Sequence, residues 1–77
     1  MVNDKSSIMF IGRYGLMFTD EDGIRYSVHT ENTGDGINLL KEGIVSINSN
    51  KVLNVQDRER IVSKILSLKP EIKWQVK

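Results

Sequence analysis

The 77-residue chain has no cysteine, which excludes disulfide staples, thiolate metal sites and a thiol nucleophile. No apolar run approaches the ~20 residues of a membrane span, and Met1–Ser7 lacks the basic and apolar regions of a signal peptide. The expectation is therefore a soluble, unexported, cytoplasmic protein. Net charge is only +1, so there is no overall field that would draw the chain to phosphate, and nucleic acid is not the default partner. Phosphate loops, zinc spacings and dinucleotide fingerprints are missing as well. Gly34-Asp35-Gly36 is too short to serve as one.

A chain of this length is expected to bury only about 60–65% of the surface it exposes when unfolded. Ordering each residue costs roughly 1.5 kcal/mol, so most bulky side chains are committed to offsetting lost entropy. A cofactor pocket of about 300 Å³ or more would displace several of them. Composition thus points to surface function, with no cofactor and no metal. Charge is unevenly distributed: residues 1–42 sum to −3 and residues 43–77 to +4. Two faces of opposite sign are an expected consequence.

The clearest local pattern lies in the last third. Asn54 can cap a helix and Asp57, three residues on, can reach back to the cap. Ile61, Val62, Ile65, Leu66 and Leu68 then form an apolar stripe. Pro70 ends the helix, after which Ile72, Trp74 and Val76 alternate with Lys73 and Gln75, as in a strand. Upstream, Ile8–Ile11, Leu16–Thr19 and Ile24–Thr30 read as three strands, with Asp20-Glu21-Asp22-Gly23 as a hairpin turn. Residues 31–36 read as loop. Ile37–Leu40 and Ile44–Ile47 read as two short strands or one broken strand around Lys41-Glu42-Gly43, with a single helical turn at 38–41 as the alternative.

These elements predict one α+β domain over residues 1–77, in the order β-β-β-β-α-β, with residues 1–6 as a frayed lead. A small antiparallel sheet of four to five strands carries the one helix on one face. Phe10, Phe18, Tyr26, Val28, Ile61, Ile65, Leu68 and Trp74 are the expected core.

Three groups of residues could carry function. Asp20, Glu21 and Asp22 form an acidic hairpin that could speed capture of a basic partner surface, with Glu31 and Asp35 expected nearby. They do not satisfy the alternating ligand pattern of a calcium loop. On the polar face of the third strand, Arg25, Ser27 and His29 superficially suggest a nucleophile and base, but no third group or oxyanion turn accompanies them. If Ile8, Phe10, Leu16 and Phe18 face the helix, Met9, Ile11 and Met17 face away from it. They then form an apolar contact face unless residues 31–36 or 37–47 cover them. Lys64, Lys69, Lys73 and Lys77 could form a basic stripe.

The run Phe18–Val28 through Glu31, the helix start Asp57-Arg58-Glu59-Arg60-Ile61 with Ile65, and the closing Ile72–Val76 together resemble a small bacterial immunity protein of polymorphic toxin systems. That resemblance implies a non-enzymatic cytoplasmic inhibitor that binds a cognate protein toxin and occludes its site. Asp20, Glu21, Asp22, Glu31 and Asp35 would then be the leading contact residues, with Arg25 and His29 secondary. The competing readings are a phage-type inhibitor of a host defence complex, a nucleic-acid module using the C-terminal lysines, and a small hydrolase using Ser27 and His29. A second copy of the chain is a further candidate partner, giving a homodimer.

Overall fold

A computed structural model describes residues 5–50 and 52–77. Five strands, β1 (Ser7–Phe10), β2 (Gly15–Thr19), β3 (Arg25–Asn32), β4 (Ile37–Ser46) and β5 (Trp74–Val76), and one helix, α1 (Val55–Leu68), follow the order β1-β2-β3-β4-α1-β5. All five strands lie in one sheet in that same order. Neighbours are antiparallel through β4, and β5 returns parallel to β4. The expected α+β architecture is the observed one.

Local chemistry explains the turns. The Asp20 carboxylate accepts the backbone N–H groups of Asp22 and Ile24, both at 2.9 Å, and Gly23 takes φ +83, a region open to glycine without a Cβ penalty. At the far end, β3 runs two residues further than its apolar alternation suggests. Glu31 and Asn32 pair with Asn38 and Ile37, so the loop expected over 31–36 shrinks to a tight turn. Its closure comes from side chains: Thr33 Oγ1 donates to the Gly36 carbonyl, and Asn32 Oδ1 accepts the Gly34 N–H.

β4 is one strand interrupted in the middle, which decides among the arrangements that its sequence leaves open. Pairing passes from His29 with Leu40 to Ser27 with Val45, so residues 41–44 stand opposite Val28 alone. This bulge turns Ile44 into the core, where it is fully buried. A Cβ on Gly43 would lie 2.8 Å from the His29 Cβ, so only glycine lets the bulge lie this close to β3.

The helix begins with the expected reciprocal cap. Asn54 Oδ1 accepts the Asp57 N–H at 2.7 Å, and Asp57 Oδ2 accepts the Asn54 N–H at 3.3 Å. It ends at Leu68, two residues before Pro70, because the residue preceding proline is disfavoured in helical conformation. Ile61, Val62 and Ile65 are buried against Leu16, Phe18, Tyr26, Val28, Leu39, Ile44 and Leu53 in one continuous core. Leu68 and Trp74 pack at its margin.

Two expectations need correction. Phe10 is 42% exposed because it ends an edge strand. Its ring instead stacks with Trp74 at a centroid distance of 6.4 Å. Those two residues sit on opposite edges of the sheet, so the sheet must curl around its helix side to bring them together. The second correction concerns the lead: residues 1–4 lie outside the described residues, but Ser6 is buried and belongs to the fold.

Candidate functional site

β3 alternates without interruption. Tyr26, Val28 and Thr30 point to the core and are buried, while Arg25, Ser27, His29 and Glu31 are exposed on the other face. Cross-strand register extends this face in both directions. Met9 opposes Met17, Met17 opposes Ser27, and Ser27 opposes Val45. Residues paired across an antiparallel sheet share a face, so Met9, Met17, Ser27 and Val45 form one row across four strands.

Met9, Ile11, Val45 and Ile47 are each more than half exposed, and Met17 is half-buried between its neighbours. Neither segment expected to cover this row does so. Residues 37–46 are spent as β4 within the sheet, and residues 33–36 form the turn at its end. The single helix lies on the opposite face. Among the described residues, nothing shields the row. Val45 and Ile47 belong to the apolar surface but were not identified from sequence; their alternation with Ile44 and Ser46 was the available signal.

Of the charged candidates, Arg25, His29 and Glu31 therefore join Met9, Ile11 and Met17 on the open face. Asp20, Glu21, Asp22 and Asp35 do not. The acidic turn precedes β3 and Asp35 follows it, so the eight residues of β3 separate them by about 25 Å at ~3.3 Å per residue. The expected proximity of the hairpin to Glu31 and Asp35 is overturned by the length of the strand.

The hairpin itself is tied to the helix side. Besides holding two backbone N–H groups through Oδ1, Asp20 accepts the Tyr26 hydroxyl through Oδ2 at 3.2 Å. Burial pushes the Tyr26 phenol above its usual range, and the adjacent Asp20 carboxylate pushes it further up. Glu21 meets Lys64 of α1 at 3.5 Å. Asn48, which sequence reasoning passed over, holds the same turn from the other side: its Oδ1 accepts the Arg25 N–H and its Nδ2 donates to the Gly23 carbonyl. Asp20 thus serves turn geometry, and Lys64 offsets the charge of Glu21.

Between this hairpin and α1 runs an open groove of about 590 Å³, lined by Asp20, Glu21, Arg60, Ser63 and Lys64 over a floor that includes Phe18 and Tyr26. It contrasts with the expectation that so small a chain has no room for a cavity. The reason is its position: it opens at the surface between the hairpin and the flank of the helix, above the core residues Phe18, Tyr26 and Ile61.

Ser27 and His29 share the open face, but no hydrogen bond links them to each other or to a carboxylate among the described residues, and neither is buried. Among those residues, no cluster of three or more His, Asp or Glu could hold a metal ion, and no helix is long and apolar enough to cross a membrane. Lys64 is engaged by Glu21, which removes one member from the expected basic stripe. Comparisons with family models, curated proteins and solved structures found no match.

Proposed function

We propose that this chain is a non-enzymatic protein-binding module and that its contact surface is the open face of the sheet. In line with its resemblance to immunity proteins, its partner is a protein toxin whose site it covers. The observation that carries this reading is the uncovered row Met9–Met17–Ser27–Val45, extended by Ile47 and bordered by Arg25, His29 and Glu31. An apolar centre with a charged rim is the usual anatomy of a protein interface, and methionine adapts its shape to an incoming surface. The acidic hairpin takes a lesser role, because Asp20 and Glu21 are already engaged.

The test uses tagged wild-type protein, a Met9→Lys/Val45→Lys variant and an Asp22→Lys variant, each recovered from the source cell with whatever it holds. A protein retained by wild type and Asp22→Lys, lost with the open-face variant, and re-forming a stoichiometric complex from purified components supports the proposal. Retention by the open-face variant at wild-type affinity rejects it.

A further inference from the structure

The curl of the sheet leaves a second concavity at the end opposite the acidic hairpin, on the core side and away from the open face. It has a volume of about 320 Å³ and is lined by Phe10, Arg13, Thr30, Asn32 and Ile72, among others. That volume is at the lower end of the range for small-molecule sites. Its chemistry differs from that of the larger groove beside the hairpin. There the aromatic rings of the floor, Phe18 and Tyr26, are almost wholly buried, and acidic and basic walls face one another.

Here an aromatic ring is available. Phe10 is 42% exposed and is backed by Trp74, whose plane lies within 13° of its own. Trp74 is in turn anchored, its indole N–H donating to the Lys69 carbonyl at 2.9 Å. Arg13 sits in the loop opened by Gly12, which takes φ +64, and among the described residues its guanidinium has no ion-pair or hydrogen-bond partner. Asn32 uses only its Oδ1 in the turn, leaving its amide N–H donors for a ligand.

A braced aromatic plane, an unpartnered guanidinium and a neutral donor within one small hollow suit a flat heterocycle carrying an anionic group. The geometry points to a nucleotide site, in which the base stacks on Phe10, its edge meets Asn32, and the phosphate pairs with Arg13. Stacking on an aromatic side chain is tolerant of base identity, and guanidinium matches phosphate in a bidentate manner. The hollow admits one base. Arg13 is the one cation among the residues lining the hollow, so the ligand is a mononucleotide or the terminal nucleotide of a strand.

Trp74 is the only tryptophan, so its emission reports directly on the ring it braces. The full chain is titrated with AMP and UMP, with ribose 5-phosphate as the baseless control, and with single-stranded oligonucleotides of increasing length. The expected result is a saturable change half-complete at about 1 mM or below, absent with ribose 5-phosphate and weakened about tenfold or more by Arg13→Ala and by Phe10→Leu. Oligonucleotides binding no more tightly than mononucleotides place the ligand free in solution. Tighter binding that does not grow with length assigns a strand end.

Should Phe10→Leu fail to fold, the exposed Arg13→Ala variant and amide shift mapping by NMR carry the test, with shifts expected at Phe10, Arg13 and Asn32. No saturable response up to about 10 mM, a response untouched by Arg13→Ala, or silence with mononucleotides alongside oligonucleotide affinity that climbs with length and falls with salt would each overturn the site.

Discussion

The two faces of the sheet both carry apolar side chains and meet different fates. On one, Leu16, Phe18, Tyr26 and Val28 are no more than 2% exposed beneath Ile61 and Ile65, whereas on the other Met9, Val45 and Ile47 are each at least 55% exposed. The covered face is apolar along β2 and β3, whereas the open face is apolar at Met9, Met17 and Val45 and polar along β3 at Arg25, Ser27, His29 and Glu31. For the apolar positions, what separates the two is the covering element, since one helix can lie across one side of a small sheet. Burial contributes roughly 25 cal/mol per Å² of apolar area, so the covered face supplies the stability and the uncovered face retains that potential, which the proposed reading assigns to a partner.

The sharpest break of this comparison is to truncate matched positions. Ile65→Ala should cost about 2–5 kcal/mol and bring a domain of this size to the edge of unfolding. Val45→Ala should stay within about 0.5 kcal/mol, and urea denaturation of both variants measures the contrast. Equal losses would mean that the open face is structural.

Next in size are the positions where backbones approach closely. A Cβ at Gly36 would run into the Lys73 carbonyl oxygen and at Gly43 into the His29 Cβ, so each alanine variant should lose about 1–3 kcal/mol. Gly43→Ala additionally displaces the bulge beside His29. It should therefore alter partner affinity beyond its effect on folding, a difference that calorimetric binding by folded protein would register.

The acidic hairpin offers a sharper internal contrast. Removing Asp20 with alanine strands two turn N–H groups and the Tyr26 hydroxyl and should cost about 1–3 kcal/mol, while Asp22→Ala should remain within about 0.5 kcal/mol. Thermal melts of the two variants at neutral pH test this. The simple sequence reading treats the two as equivalent surface charges.

The smallest effect is at alkaline pH. Tyr26 has its ionisation raised in the folded state above the usual value of 10.0. As pH rises past about 10, the unfolded chain loses this proton first, so the folded state binds more protons and stability declines with pH. Below that range the contribution is fully present. The decline of wild type between pH 9 and 11, followed by urea denaturation, should be steeper than that of Tyr26→Phe.

Much of this architecture is written in short-range pattern. The Asn54–Asp57 cap, the 61/62/65 stripe, the proline stop and the alternation of β3 are local, and local spacing is enough to read them. Long-range features are not. The exposure of Phe10 and its stacking on Trp74 depend on how far the sheet curls, which no window of sequence contains. Asn48 supports a turn 23 residues away, and its composition marks it only as loop. Asp20 and Asp22 look alike in sequence because their difference lies in which carboxylate turns back to the backbone. The apolar candidates Met9, Ile11 and Met17 were identifiable from alternation, but whether they would be covered depended on where residues 37–47 went.

The most direct test is the stability of a Met9→Lys/Met17→Lys/Val45→Lys variant by urea denaturation, with its fold checked by circular dichroism. A face that is free for a partner should accept three charges with native secondary structure and a loss of no more than about 1–2 kcal/mol. A loss matching that of Ile65→Ala, or a chain that does not fold, would contradict the account by placing this row inside the core.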